Sequence, residues 1–175
     1  EFAKKNNIET IIHMPMESYD QDNEYIIELN EKLNSTLVED RIKYAFNELP
    51  YALGMNNHQG SKATLNLQLM KNVARTLKKM NKFFLDSFTN PESRGFLTMR
   101  RYGVPTQLRQ VFLDHDDNYE SIKSNLDSLV ALSHNMEIAI GIGHIKQYTY
   151  EVLKNEIPKL KLDGYRFIKL SKAVN

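Results

Sequence analysis

The sequence contains no cysteine, which removes disulfides, thiolate zinc sites and cysteine nucleophiles together. It leaves the redox compartment open, because a secreted protein of this size can fold without disulfides. An excess of one charge is also missing. The 23 Lys and Arg against 22 Asp and Glu leave a net charge of +1, so no strong field points toward nucleic acid or an anionic membrane. No apolar run approaches the roughly 20 residues of a membrane span. No signal peptide is visible; the opening Glu1-Phe2-Ala3-Lys4-Lys5 reads as the end of a helix whose start, with any leader, lies upstream. Gly141 and Gly143 lack the third glycine and the following helix pattern of a dinucleotide fingerprint. No serine stands in a nucleophile elbow. Low-complexity tracts, short repeats and long linkers are absent as well.

What is present is alternation. The 175 residues, 41% hydrophobic and 26% charged, fit one soluble globular domain over 1–175 with a sizeable core. Short apolar runs at 8–12, 51–55, 82–85, 110–113, 137–142 and 165–170 are each expected to be strands. Between them lie amphipathic segments expected to be helices. The first carries Val38, Ile42, Ala45, Phe46 and Leu49 behind a cap at Asn34 or Ser35. Others carry Leu65, Leu69, Val73 and Leu77, then Ile122, Leu126, Leu129 and Val130, then Val152, Leu153, Ile157 and Leu160. Pro91 and Glu92 suit the first turn of a further helix, Gly103 and Gly164 suit helix ends, and Pro158 is expected to bend the last helix. A polar stretch with several acids occupies 19–31. Strand–helix alternation with short connections implies an α/β fold with a parallel sheet and right-handed crossovers. Six strands behind a truncated helix imply at least one more strand upstream, and seven or eight would close a barrel; an open doubly wound sheet is the alternative.

In parallel β/α folds, chemistry gathers where strands end. The six expected strand ends carry His13, His58, Asp86, Asp114, His144 and Ser171, so three of the five histidines fall there. This clustering predicts that distant imidazoles converge on one polar pocket. His13 and Glu17 are suitable ligands for a divalent metal; the plainer reading is a hydrogen-bonded histidine and a solvated loop acid. Asn56, Asn57 and His58 lie between Gly54 and Gly60-Ser61, and two amides with an imidazole are costly to bury without partners. An ordinary turn, with Ser61 as a cap and an exposed histidine, would look the same. Asp114 can orient an imidazole, act as a base or bond loop amides. His144, after Gly143, can donate a proton or bind metal, or simply precede a helix. Asp116, Asp117 and Asn118 suit the start of the next helix.

The blocks His13-Met14-Pro15-Met16-Glu17, Gly54-Met55-Asn56-Asn57-His58-Gln59-Gly60-Ser61 and Phe84-Leu85-Asp86-Ser87 occur in that order. They are followed by Gly103-Val104-Pro105, Arg109-Gln110-Val111-Phe112-Leu113-Asp114, Ile138-Ala139-Ile140-Gly141-Ile142-Gly143-His144 and Gly164-Tyr165-Arg166-Phe167-Ile168-Lys169-Leu170-Ser171. Together they resemble the divergent polysaccharide deacetylases, over nearly the whole chain. The resemblance implies an irregular parallel β/α barrel of the seven-stranded type, with its N-terminal strand upstream of residue 1. It also implies a metal-dependent hydrolase of carbohydrate N-acetyl groups, in which metal-activated water attacks the acetamide carbonyl. The metal, expected to be zinc, would be held by His13, His58 and Glu17; His144 would be the acid, with Asp114 orienting it. Asn56, Asn57, Ser61, Asp86 and Arg109 would bind substrate or support the ligands. An N-acetylated polysaccharide or oligosaccharide is the implied partner, and an exported location (periplasm, cell envelope or outside) follows from that substrate class. The family's aspartate pair would lie upstream, Phe88 replaces an arginine usual after Asp86-Ser87, and Ile145 replaces a proline usual after the late histidine. A non-catalytic glycan-binding or envelope-associated protein is the second reading, and a metal-dependent hydrolase of another amide the third.

Overall fold

A computed structural model describes residues 1–20 and 25–174. Residues 21–24 of the acidic stretch lie outside the described residues. The chain forms two compact units, Glu1–Leu108 with Leu170–Asn175, and Arg109–Lys169.

In the first unit the order is α1 (Phe2–Lys5), β1 (Ile12–Met16), α2 (Ser35–Glu48), β2 (Gly54–Gln59), α3 (Leu67–Met80), β3 (Phe83–Asp86), α4 (Gly95–Arg101) and β4 (Thr106–Leu108). The four strands form one parallel sheet in sequential order. Asn34 caps α2 by accepting from the Leu37 N–H, and Asn66 caps α3 by accepting from the Leu69 N–H. Neighbouring helices touch, α2 against α3 and α3 against α4, so these crossovers cover the same face of the sheet. Ile12, Met14 and Met16 of β1, Met55 of β2 and Phe84 of β3 meet Val38, Ile42, Phe46, Met70, Val73 and Leu77 of the helices in one apolar core. Each such side chain, fully buried, contributes about 1.5–3 kcal/mol.

The strands sit later than the apolar runs imply. β1 begins where the 8–12 run ends, because Ile12, Met14 and Met16 alternate into the core while Ile8 is exposed. Pro15 is tolerated within it. Its carbonyl accepts from Leu29 N–H on the edge away from β2, so the missing proline donor faces that same edge. β2 runs through Asn56, Asn57 and His58 instead of stopping before them. β4 has no counterpart among the expected runs. Pro91 and Glu92 stand in a turn ahead of α4, and Phe96 N–H at its start donates to the buried Asp86 carboxylate. A Cβ on Gly95 would lie 2.5 Å from that carboxylate oxygen, so glycine is required there.

The second unit holds β5 (Val111–Phe112), α5 (Tyr119–Ser133), β6 (Gly141–Ile142) and α6 (Gln147–Leu162). β5 and β6 pair in parallel, and Leu113, Ile122, Leu126 and Val152 form its core. Asn118 caps α5 by accepting from Ser121 N–H. The helix continues through Pro158 to Leu162. Gly141 faces Leu129, which a Cβ would meet at 2.7 Å, so this glycine serves packing of α5 on the strand. Residues 165–169 are irregular and not a sixth strand of this pattern: Phe167 and Ile168 are half exposed, and no strand pairs with them. The chain then enters a final turn, α7 (Leu170–Ala173), in the first unit, where Ser171 bonds the Glu9 carboxylate.

Phe84 is fully buried whereas Leu97 on α4 is 60% exposed. Phe84→Ala is therefore expected to lower unfolding free energy in urea titrations by about 3–5 kcal/mol. Leu97→Ala should stay within about 0.5 kcal/mol of the parent. Equal effects would contradict the placement of β3 between the helices and the opposite face.

Candidate functional site

The face of β1 and β2 turned away from the helices is polar. His13 pairs with Asn56 in register, and His58 lies two residues further along β2, so the three side chains share that face. His13 Nδ1 is 3.0 Å from Asn56 Oδ1, and His13 Nε2 is 2.9 Å from His58 Nδ1. The rings meet edge to face with centroids 4.7 Å apart. His58 Nε2 in turn lies 3.0 Å from the Tyr25 hydroxyl. Tyr25 was not singled out by sequence; it stands in an aperiodic polar stretch that carries no signal of partnership.

Buried donors behind this row fix its geometry. Asn57 is wholly buried and Asn56 nearly so. Asn57 accepts from Ser87 N–H through Oδ1 at 2.8 Å and donates through Nδ2 to the Gln59 carbonyl at 2.7 Å. Asn56 Nδ2 donates to Ser87 Oγ at 3.0 Å, and that hydroxyl donates to the Asn57 carbonyl at 2.8 Å. Asp86 is committed elsewhere: its carboxylate accepts from Phe88 N–H, Ser93 Oγ and Phe96 N–H, which shapes the turn into α4.

Glu17 is not brought onto the imidazoles by any contact seen here. Its carboxylate takes Lys62 Nζ at 2.8 Å and Glu31 N–H at 3.1 Å, and Lys62 also reaches Glu31 at 2.9 Å. Burial pushes the Glu17 carboxyl up, but bonds from Lys62 and the Glu31 N–H, with the charges of Lys62 and Lys32, hold it below the ordinary value. Lys62 is pushed up by its bonds to Glu17 and Glu31. Ser61 ties down the neighbouring loop, bonding Ser18 Oγ at 2.7 Å and accepting from Tyr19 N–H at 3.1 Å. Among the described residues no group of three or more His, Asp and Glu side chains is arranged to hold a metal ion. Of the three expected ligands, His13 and His58 touch each other while Glu17 is held by Lys62.

The second unit carries a separate arrangement. Asp114 is buried and divides its carboxylate: Oδ2 accepts from His144 N–H at 2.7 Å and Thr149 Oγ at 3.0 Å, while Oδ1 faces His144 Nδ1 at 3.2 Å. The His144 side chain is 54% exposed. Phe112 packs edge to face on the ring, and Arg109 lies over the Phe112 ring at 5.6 Å. Burial pushes the Asp114 carboxyl up, yet the His144 N–H, the Thr149 hydroxyl and the His144 ring outweigh it and hold the group low. Thr149 is another residue sequence reasoning missed; its one signal is a hydroxyl in the first turn of the helix that follows His144.

Because Asp114 is held below its unfolded value, its stabilisation is complete above the ordinary carboxylate range and is lost as pH falls through the depressed value. Thermal unfolding of the parent should therefore lose stability on acidification through that range. In Asp114→Asn the acid limb should be shallower and neutral-pH stability lower. Parallel curves for the two would show that Asp114 gains nothing on folding.

The fold has a counterpart among solved structures, and the sequence has relatives. An uncharacterized protein, ATU2773 from Agrobacterium tumefaciens C58, has a crystal structure that superposes with a TM-score of 0.94 at 19% identity, covering 98% of this chain and 71% of that one. This likeness shows the α/β fold. Uncharacterized protein YibQ of Escherichia coli (strain K12) is 32% identical over 173 residues, which is 99% of this chain and 54% of YibQ. An uncharacterized protein of Haemophilus influenzae (strain ATCC 51907 / DSM 11121 / KW20 / Rd) is 31% identical over 161 residues, 92% of this chain and 58% of that protein. The chain therefore spans little more than half the length of these relatives. The profile of the divergent polysaccharide deacetylases matches residues 1–174, and the chain belongs to that family.

Proposed function

We propose that the protein hydrolyses N-acetyl groups of a polysaccharide or oligosaccharide with a divalent metal, zinc by preference, held in part by His13 and His58. The observation that carries the reading is the contact of the two imidazoles on an exposed strand face, with His13 Nε2 and His58 Nδ1 2.9 Å apart. A divalent ion held there would supply Lewis-acid polarisation of the amide carbonyl and a lowered pKa for water. Membership of the family supports the carbohydrate substrate class and, through it, an exported location. Glu17 joins the ligands in this reading only by leaving Lys62.

The chain's own residues account for the remaining parts. His144, with Nδ1 on the buried Asp114 carboxylate, presents its other ring nitrogen as the acid that protonates a departing amine. Asp114 holds the ring's orientation. Arg109, Ser61 and the β2 amides remain candidates for substrate contact or support of the ligands. The sequential order of β1 to β4, with crossovers on one face, supports an irregular barrel of the seven-stranded type over a doubly wound sheet for the first unit's part of the fold.

A non-catalytic glycan-binding or envelope-associated protein is the second reading. It is favoured by the lack of a three-ligand cluster among the described residues.

Full-length protein purified without chelator is expected to retain metal, and His13→Ala or His58→Ala to lose it in elemental analysis. Wild-type metal content in both variants would remove these residues from the ligand set. Acetate release from N-acetylated oligosaccharides should fall about 10²–10⁴-fold in His144→Ala at unchanged metal content. Glycan binding without acetate release from the metal-loaded parent would establish the second reading instead.

A further inference from the structure

Ser87 lies at the root of a directed chain of hydrogen bonds that ends at the imidazole pair. Its hydroxyl donates to the Asn57 carbonyl, an acceptor only, at 2.8 Å. The same oxygen is 3.0 Å from the Asn56 amide and must therefore accept there, which places the Asn56 NH₂ toward Ser87. The Asn56 oxygen is thus the atom turned to His13 Nδ1, 3.0 Å away. A carbonyl oxygen cannot donate, so Nδ1 carries the proton. In the neutral ring Nε2 is then the lone-pair nitrogen.

The rest of the row agrees with this assignment. With both rings neutral, His58 Nδ1–H can donate to His13 Nε2 and the Tyr25 hydroxyl to His58 Nε2, each a donor meeting an acceptor. Ser87 and Asn56 are both buried, 2% and 7% exposed, so water does not readily substitute for either partner.

We infer that Ser87 is a positioning residue: its hydroxyl, acting through the Asn56 amide, holds His13 in the Nδ1–H form and so makes Nε2, which accepts from His58 in the metal-free protein, the lone-pair nitrogen that a ligand would take when that bond opens. The inference deepens the proposed metal role of His13 and rests on it for its purpose; the proton position itself does not depend on metal. Partners of this kind fix the tautomer of ligating histidines, and their loss typically lowers metal affinity 10–100-fold.

The test is the proton position on His13 in metal-free, full-length protein labelled with ¹⁵N-histidine, read from two-bond ¹H–¹⁵N correlations of the neutral ring. The parent should show the Nδ1–H pattern. Ser87→Ala frees the Asn56 amide to turn, so an Nε2–H form should appear and zinc affinity should fall 10–100-fold. Adding Asn56→Asp to that variant supplies two equivalent acceptor oxygens and should restore the Nδ1–H pattern. Should Ser87→Ala not fold, Asn56→Ala leaves the Ser87–Asn57 bonds in place and should give the same Nε2–H form. A parental pattern in Ser87→Ala or Asn56→Ala, or no restoration in the double variant, would overturn the inference. An Nδ1–H pattern in a parent that binds no zinc would sink the ligand reading of His13 while leaving the Ser87 assignment standing.

Discussion

Burying amides in a strand demands a partner for each of their polar atoms, and that demand governs the polar face of the first unit. An unmet buried donor or acceptor costs about 1–3 kcal/mol. Asn56 and Asn57 avoid this because Ser87, just past β3, supplies a backbone N–H and a hydroxyl that serve both amides. Without that residue β2 could not run through Asn56 and Asn57 at low cost, and the register that sets His13 opposite Asn56 would lose its support. The same bonds that stabilise the strand therefore set the orientation of the imidazole.

The two polar centres use different physics. The His13–His58 row is assembled from groups that can all be neutral, so its order comes from hydrogen-bond direction. Asp114 and His144 instead use a buried carboxylate whose burial penalty is outweighed by directed donors. A carboxylate already held by a backbone N–H and a threonine hydroxyl has one oxygen left for the ring, and that oxygen faces His144 Nδ1. Near Glu17 the electrostatics serve the loop: Lys62 joins two carboxylates and secures the segment that follows β1. The chain belongs to the divergent polysaccharide deacetylases, and the relatives named above are uncharacterized proteins of which it spans little more than half.

Much of the architecture was legible in the sequence because burial imposes periodicity. The α3 stripe of Leu69, Val73 and Leu77 is wholly buried, and Asn34 and Asn118 cap their helices. Strand bounds were less legible. Asn56, Asn57 and His58 look like a turn when only hydrophobicity is weighed, since the partners that make them tolerable lie some thirty residues away. Conversely, 165–170 is apolar enough to imitate a strand but forms none among the described residues. The His13–His58 and Asp114–His144 contacts each join residues that stand at expected strand ends in the sequence. Tyr25 and Thr149 were not legible, and Ser87 was met only as part of the Asp86-Ser87 block, because a hydroxyl's role depends on which donor or acceptor it meets, and sequence spacing does not encode that.

The central claim is that His13 presents Nε2, beside His58, to a divalent ion. Crystals of the full-length protein grown with zinc and measured at the zinc absorption edge test it directly. The account expects an anomalous peak bonded to His13 Nε2, with Nδ1 still on Asn56. Zinc bound only at other side chains, or no ordered zinc at saturating concentration, would contradict it.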